Sequence, residues 1–442
     1  MKTLARALAL ALPAVLAAGT AFAQDAKIDT GDTAWMLTST AIVLMMTVPG
    51  LALFYAGMVR KKNVLATMMQ SFAACALVAV LWMVLGYSLA FGEGNAWIGD
   101  LSRLLMRGMA EGWDKPFTLG SGDAAVATTI PESVFATFQM TFAIITAALI
   151  TGAIADRMKF SALMLFLTMW TLAVYSPVAH WVWHPNGWIF ALGALDFAGG
   201  TVVHINAGVA GLVAAIVLGK RVGYGTDNMS PYNLAFAVIG ASLLWVGWFG
   251  FNAGSAVGAG ARAGMAMLVT QVAAAGAVLA WLVAEWATKG KPSVLGAISG
   301  AVAGLVAITP AAGFVLPGSA LVIGLVAGMA GFWGATALKH WCGYDDSLDA
   351  FGVHGVCGIA GALLTGVFAY GPLSASTATP EGYGASVAQL MTQLYAVVAV
   401  FAFTAVMTFV LLKIVDAVVG LRVTEEEERE GLDVVLHGER IG

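Results

Sequence analysis

Long apolar runs separated by short polar loops dominate the chain. A helix that crosses a bilayer needs about 20 apolar residues. Eleven runs of suitable length follow residue 23, near 33–58, 64–91, 131–154, 161–183, 193–218, 231–253, 263–287, 293–311, 317–338, 350–371 and 390–416. The apolar residues are continuous rather than alternating, which excludes a transmembrane β-barrel. The pattern therefore predicts an all-α polytopic membrane protein with eleven transmembrane helices.

Residues 1–23 have the pattern of a secretory signal peptide. Lys2 and Arg6 precede a short apolar stretch, and Ala21-Phe22-Ala23 is a small-x-small cleavage motif. Pro13 interrupts a stretch that is already short for a span, which favours a cleaved signal over an uncleaved first helix. Cleavage would leave the mature N-terminus, from residue 24 onward, outside the cytoplasm.

Basic residues follow every odd-numbered span. Examples are Arg60-Lys61-Lys62 after span 1, Lys220-Arg221 after span 5 and Lys339 after span 9. Because basic loops stay in the cytoplasm, the N-terminus is predicted outside and the C-terminus inside. Residues 24–416 then form one membrane domain and residues 417–442 a cytoplasmic tail. The loop at 92–130 is predicted outside although it contains basic residues, and it is long enough to form a small extracytoplasmic cap.

The composition narrows the class of protein. Hydrophobic residues make up 60% of the 442 positions and charged residues 10%, whereas soluble domains carry about 25% charged residues. This excludes a soluble enzyme and a disordered chain. With a net charge of −4, the chain lacks the excess of basic residues that is typical of a nucleic-acid-binding protein. Three scattered cysteines provide neither a disulfide framework nor a thiolate metal site.

A short internal repeat relates spans 5 and 10. After His204 and after His354, Gly, Ala and Gly recur at the same three offsets. If spans 1–5 and 6–10 are the repeating units, the odd number of spans inverts the second copy, and span 11 stands outside the repeat. Inverted repeats with a binding site between them are a recurrent plan of transporters.

Ionisable residues within spans are costly and are functional by default. A lone buried histidine can simply bridge two helices, but a repeat-related pair, His204 and His354, can also share one N–H and relay a proton. Asp196 has two interpretations: it can brace a turn by accepting backbone N–H bonds, or it can favour a cation at the outer mouth. Asp345, Asp346 and Asp349 are predicted to cap the start of span 10.

A second group of candidate site residues is aromatic and lies near the predicted outer ends of the spans. Phe142 lies on span 3, Trp183 ends span 4, and Phe251 is followed by Ser255 at the end of span 6. Most tryptophans in such a chain belong to an interfacial belt or to the core. The sharper interpretation is a vestibule whose ring faces attract a desolvated cation, with the Ser255 hydroxyl as a hydrogen-bond acceptor.

Three motifs give the chain a nearly full-length resemblance to the ammonium transporter family (Amt/Mep/Rh). They are Asp196-Phe-Ala-Gly-Gly-Thr-Val-Val-His204, Gly247-Trp-Phe-Gly-Phe-Asn-Ala-Gly-Ser255 and Asp349-Ala-Phe-Gly-Val-His354. The tail sequence Glu428-Arg-Glu-Gly431-Leu-Asp433 also resembles the cytoplasmic C-terminus of the family. The chain is most similar to bacterial Amt proteins.

The resemblance implies a function and a set of site residues. Phe142, Trp183 and Ser255 would bind ammonium, Phe142 and Phe251 would form a gate, His204 and His354 would line the pore, and Asp196 would support the site. His184-Pro185-Asn186 stands where a short Gly-rich run is expected after Trp183. The resemblance further implies a homotrimer in the bacterial inner membrane, no cofactor and a P-II-type signalling partner at the tail. The sequence does not exclude methylammonium as a further substrate.

Three rival functions remain open on the sequence. A passive ammonia or carbon dioxide channel of Rhesus type differs from an electrogenic transporter only in the charge that it moves. An ammonium sensor would bind without transporting. Two histidines and Asp196 could also serve an intramembrane metalloenzyme, although the chain lacks a His-Glu-x-x-His run.

Overall fold

The computed structural model describes residues 27–122, 125–375 and 381–442, so the predicted signal peptide at 1–23 lies outside the described residues. Eleven long helical segments follow one another along the chain: α1 Thr30–Met58, α2 Lys61–Phe91, α3 Glu132–Ile154, α4 Phe160–Ala191 (interrupted after Trp183), α5 Gly200–Leu218, α6 Leu234–Gly254, α7 Ala261–Lys289, α8 Val294–Ile308, α9 Pro317–Cys342, α10 Phe351–Phe368 and α11 Val387–Val419. Two short helices, α12 Glu425–Glu430 and α13 Leu432–His437, form the tail.

Ten of these helices are long and apolar enough to cross a membrane, counted over the described residues. The remaining one is α8, which has 15 residues although the sequence predicts a span near 293–311. Pro310 explains the difference, because proline has no N–H to donate to the carbonyl four residues earlier and its ring collides with that carbonyl. The chain continues past Ile308 in turns, with Ala311 N donating to Ile308 O.

The loop at 92–130 contains the main departure from an all-α fold. Strands β1 (Pro116–Leu119) and β2 (Val126–Pro131) pair antiparallel, with Leu119 opposite Val126 and an irregularity between Pro116 and Thr118. The prediction of a purely helical chain is therefore wrong for this loop. The β-branched and aromatic residues of the two strands favour extended backbone, but they were obscured by the much stronger apolar runs on either side.

Helices differ in how much of their surface is buried. Most of α3 and α5 is buried inside the bundle, whereas α2, α9 and α11 leave most of their apolar surface uncovered. In a soluble protein such a surface would be a liability. In a bilayer it faces acyl chains that are as apolar as leucine, so the burial pattern agrees with a multi-pass membrane protein.

Helices α5 and α10 cross at their first turns, and glycine makes the crossing close. Gly208 packs against the backbone of Gly355, and a Cβ on Gly358 would lie 3.2 Å from the His204 Cβ. The repeat extends outward: Gly211 contacts Ala153 on α3, and Gly361 contacts Ala307 on α8. Since α3 and α8 are also five helices apart, these contacts agree with a repeat of five helices.

The two crossing glycines differ in how much space surrounds them, which gives a matched test. Gly208→Ala places a methyl group against the backbone of Gly355, which cannot yield, whereas Gly358→Ala meets a side chain at 3.2 Å. We expect Gly208→Ala to destabilise the protein by about 1–3 kcal/mol through overpacking, and Gly358→Ala by less. Thermal unfolding of the two purified variants measures the order, and equal losses would contradict it.

Candidate functional site

His204 and His354 meet at the centre of the crossing. Each lies on a π-helical turn that begins its helix, Gly200–Ile205 for α5 and Phe351–Val356 for α10. Their Nδ1 atoms are 3.4 Å apart, their ring planes differ by 20°, and only 1% and 3% of the two residues is exposed. A neutral imidazole carries one N–H, so one ring donates in this contact and the other accepts.

A narrow cavity of about 10 Å³ lies beside the histidine pair. Its walls are apolar apart from the imidazoles, and they include Val203, Phe251 and Trp248. The Trp248 ring stacks on His204 at 5.4 Å, and its Nε1 donates to Thr309 Oγ1. The space is at the lower limit for a single water molecule, and the buried His204 Nε2 has no hydrogen-bond partner among the described residues. The arrangement can therefore receive one small polar molecule at a time.

The Asp196 carboxylate organises the turn that presents His204. Its Oδ1 accepts from the N–H groups of Gly199 and Gly200 at 2.8 and 2.5 Å, and its Oδ2 accepts from the N–H and the hydroxyl of Thr201. Val202 N donates at 3.3 Å. These donors are the first N–H groups of α5, which have no partner within the helix. Of the two interpretations of Asp196, these contacts correspond to the turn-bracing one.

Asp346 is the counterpart of Asp196 in the second repeat. It lies eight residues before His354, as Asp196 lies eight before His204, and it accepts from Ala350 N and Phe351 N at 3.0 and 2.7 Å. Burial raises the pKa of Asp346 to about 6, Lys339 opposes this rise and Asp349 adds to it. The repeated eight-residue spacing was visible in the sequence and would have identified this pair.

The prediction that three aspartates cap span 10 holds only for Asp346. Asp345 instead binds Arg221, with Oδ2 accepting from Nε and Oδ1 from Nη2 at 2.9 and 2.8 Å. Although burial opposes ionisation, Arg221 holds the pKa of Asp345 below its ordinary value. Asp349 pairs with Lys339 at 2.7 Å and has a φ of 60°. Gly199, five residues before the other histidine, also has a positive φ, so the two turns share their backbone form.

The predicted aromatic residues also come together. Phe142 and Phe251 stack face to face, with ring centroids 4.1 Å apart and planes 15° from parallel. Trp183 meets Phe142 edge-on at 5.7 Å, and its Nε1 donates to Asp196 O at 2.9 Å. Phe142, Trp183 and Ser255 line a wider cavity of about 490 Å³, and the Ser255 hydroxyl donates to Phe251 O. The insertion after Trp183 does not remove its ring from this wall.

Two glutamines on α11 support the site and were missed. Gln393 Oε1 accepts from Leu195 N at 2.7 Å, and its Nε2 donates to Leu195 O and Ala362 O. Gln389 donates to Gly193 O. They hold the chain immediately before Asp196 against α10 and α11. Two amides four residues apart inside an apolar run were the available indication, because polar side chains within a span rarely lack a role.

The tail packs against the loops of its own chain. Glu428 Oε1 accepts from Val222 N, Leu432 N donates to Asn63 Oδ1, and Ala66 N donates to Asp433 Oδ1. Lys62 donates to the carbonyls of Glu428 and Arg429. The single chain therefore seats its tail on the first turn of α2 and on the loop that follows α5.

Gly431 is the hinge of this docking and gives a second test. Its φ is 116°, and a Cβ there would lie 2.6 Å from Lys62 Cβ and 2.8 Å from Lys62 O. We expect Gly431→Ala to release the tail, because the new methyl group collides with the loop. Limited proteolysis measures this as faster cleavage after residue 422. Gly438→Ala is the control, since Gly438 also has a positive φ but nothing lies within 4 Å of its Cβ position; equal cleavage of both would contradict the role of the collision.

In the part of the chain that the structure describes, no group of three or more His, Cys, Asp or Glu side chains is placed so that it could hold a metal ion. The histidine pair and Asp196 therefore do not assemble into a metal centre there. The carboxylate of Asp196 is saturated by backbone donors, which leaves it poorly suited to bind a cation directly. The rival interpretation as an intramembrane metalloenzyme finds no support in this geometry.

Comparisons with known proteins identify the family of the chain. The sequence model of the Ammonium Transporter Family matches residues 34–441. The ammonium transporter of Bacillus subtilis is 50% identical over 410 residues, covering 93% of this chain and 98% of the relative. Mep2 of Saccharomyces cerevisiae is 37% identical with a TM-score of 0.81, covering 91% of this chain and 89% of Mep2. A sensor Amt protein is 29% identical with a TM-score of 0.82, covering 92% and 98%. The chain belongs to the ammonium transporter family.

Proposed function

We propose that this protein is an ammonium transporter of the bacterial inner membrane. It recruits NH₄⁺ at an outer aromatic site, removes one proton and conducts NH₃ through an apolar pore while the proton crosses separately. The observation that carries the proposal is the buried His204–His354 pair beside a cavity that admits one small molecule. Relatives at 46–50% identity are named ammonium transporters, which favours transport over sensing.

Recruitment rests on the wall of the wider cavity. The rings of Trp183 and Phe142 and the hydroxyl of Ser255 border the same space. A cation over an aromatic face gains roughly 0.5–2 kcal/mol, depending on how far it is desolvated. The Ser255 oxygen can accept a hydrogen bond from ammonium, which donates, whereas potassium donates none. This site therefore favours ammonium modestly and concentrates it above the constriction.

Rejection of other ions rests on the constriction beneath. Phe142 and Phe251 stack closely enough to close the path between the two cavities. An ion that keeps its charge would have to lose its hydration water there. The free-energy cost of this desolvation far exceeds the stabilisation that two aromatic rings provide. Ammonium can lose a proton and pass as ammonia, which potassium cannot do. Selection thus follows from acid–base chemistry rather than from ionic size.

The paired histidines provide the polar contacts beyond the constriction. The Nδ1–Nδ1 hydrogen bond fixes complementary tautomers in the two rings. A tautomer exchange along the pair moves a proton while ammonia binds at a ring nitrogen. His204 Nε2, which has no partner in the described chain, is the candidate for that contact. The separate crossing of ammonia and proton would give net charge transport.

The arrangement in the membrane and the partners follow from the family. We propose eleven transmembrane helices with the N-terminus outside and the C-terminus inside, three subunits with one pore each, and methylammonium as a further substrate.

We also propose that the tail binds a trimeric P-II-type nitrogen signalling protein. Its docking on the first turn of α2 and on the loop after α5, beside the basic residues of the predicted cytoplasmic side, supports this proposal. Capture of such a protein by the intact chain, and loss of capture without residues 423–442, tests this; no capture by the intact chain refutes it.

The decisive measurement is current in proteoliposomes after an ammonium pulse, with an equal potassium pulse as the control. We expect a current with ammonium and none with potassium. Ammonia flux without current would contradict charge transport and establish the passive channel of Rhesus type. Absence of both flux and current would contradict transport and leave the sensor.

A further inference from the structure

Two charged side chains border the wide cavity that contains the outer aromatic wall. Asp32, on α1, and Arg262, in the first turn of α7, lie on the same lining as Phe142, Trp183 and Ser255. They are the charged members of that lining among the described residues. Basic residues concentrate on the cytoplasmic side of membrane proteins, so an arginine at the predicted outer end of a span is unusual. Its charge has the same sign as the ion that the wall is proposed to bind.

The charge of Arg262 is not cancelled by a carboxylate of the described chain. The side chain is half-buried, and its Nη2 donates to Ala375 O at 2.9 Å, which is a neutral acceptor. Arg262 takes part in none of the ion pairs found among the described residues. Helix α7 begins after Gly260, which has no side chain to cap it, so the helix dipole adds potential of the same sign.

Asp32 acts in the opposite direction, but it is engaged by neighbouring donors. Its Oδ1 accepts from Ala259 N at 2.7 Å, and its Oδ2 accepts from the Thr129 hydroxyl. These contacts tie the carboxylate to the loop after α6 and to β2. A cation in the cavity therefore experiences one attractive and one repulsive charge. Loss of the arginine alone would leave the attraction of Asp32 unopposed.

The size of the cavity brings Arg262 within electrostatic reach of the aromatic wall. A sphere of about 490 Å³ is about 10 Å wide, which equals the Debye length at about 0.1 M salt. Two like charges about 10 Å apart weaken binding about twofold in bulk water and about tenfold at the effective permittivity of a protein surface. The repulsion acts on every monovalent cation alike, so it changes affinity and not selectivity.

We propose that Arg262 determines the affinity of the outer site, because its positive charge weakens the binding of ammonium there. This inference rests on the proposed function, since it takes the wall of Trp183, Phe142 and Ser255 as the ammonium site. The transporter then responds to higher external ammonium concentrations than the same wall would without the arginine. Arg262 affects the binding step, whereas the stacked rings beneath limit passage.

Ammonium-evoked current in proteoliposomes, measured over a range of ammonium concentrations, tests the proposal. Arg262→Gln keeps a donor for Ala375 O but removes the charge. We expect the half-saturating concentration to fall about two- to tenfold at low salt, with a smaller change in the maximal current. In about 1 M sodium chloride, where the Debye length is about 3 Å, the difference should shrink to less than half. An unshifted half-saturating concentration at low salt, or a shift that persists in full at high salt, would overturn the proposal.

Two further variants separate the charge from a structural role. Arg262→Lys keeps the charge and should retain the half-saturating concentration of the unsubstituted protein; the same shift as in Arg262→Gln would instead assign the residue to holding Ala375. Arg107→Gln is the matched control, because Arg107 is an exposed arginine of the outer loop that borders a different cavity. An equal shift with Arg107→Gln would assign the effect to the overall surface charge and overturn the proposal.

Failure of this inference differs from failure of the proposed function. Absence of an ammonium current from the unsubstituted protein would contradict transport itself. A normal current whose half-saturating concentration is the same with and without the arginine would contradict only the role of Arg262. Methylammonium provides a second reading, since a purely electrostatic effect should shift its half-saturating concentration by the same factor. Unequal shifts of the two ions would contradict an effect of charge alone.

Discussion

Replacing His204 with alanine should abolish the ammonium-evoked current. The substitution removes the partner of His354 Nδ1 and so breaks the two-ring path along which a proton can pass. Proton transfer by a positioned side chain typically contributes at least about 100-fold, so the current should fall below detection. His354→Ala should behave alike, because the relay needs both rings. Solid-supported membrane electrophysiology of proteoliposomes measures the effect.

Two further variants make this result interpretable. His340→Ala, at an exposed position near the end of α9, removes a histidine outside the pore and should leave the current intact. His204→Asn preserves a side chain that can hydrogen-bond to His354 but cannot titrate. It should keep some ammonia permeation while losing current. A normal current in both alanine variants would show that the histidines do not carry the proton.

Loss of the Asp196 carboxylate should be the most damaging single change outside the pore lining. Asp196→Ala strands the N–H groups of Gly199, Gly200 and Thr201 in a buried turn. Each unsatisfied donor costs about 1–3 kcal/mol, and their sum is comparable with the whole stability of a typical domain, about 5–15 kcal/mol. We expect little folded protein. Asp196→Asn keeps one acceptor oxygen and should fold with a lower melting temperature and greatly reduced transport.

Asp346→Asn is the matched comparison for this prediction. Asp346 occupies the equivalent place in the second repeat but accepts from only two backbone N–H groups, those of Ala350 and Phe351. Its substitution should therefore lower the melting temperature less. Thermal unfolding, monitored by size-exclusion chromatography, gives the melting temperatures of both variants. The bracing role fails if Asp196→Asn proves as stable as Asp346→Asn.

The sequence predicted the long apolar helices and the association of His204 with His354, because both depend on local pattern. Continuous apolar runs identify helices at any position, and the repeated glycine offsets after His204 and His354 located the crossing. Pro310 was visible too, but its effect on α8 depends on whether the helix can continue past it. The eight-residue spacing from Asp196 and Asp346 to the histidines was present and overlooked.

Other features depend on contacts between distant parts of the chain. Asp345 and Asp346 are adjacent and chemically identical, yet one binds Arg221 while the other caps α10. Only the position of the loop after α5 decides between the two roles. The docking of Asp433 on Ala66 joins residues more than 360 positions apart. No periodicity or composition records such a pairing.

The face-to-face contact of Phe142 and Phe251 has a kinetic consequence. Under the proposed mechanism, rings 4.1 Å apart block the conduction path, so each molecule waits for a thermal displacement of a side chain. The transport rate is then limited by the fraction of time for which the rings are apart. An apparent affinity is reduced in the same way by the fraction of protein that is in the binding-competent state. Such a protein saturates with substrate and slows on cooling as an enzyme does, although nothing larger than two aromatic rings has to move.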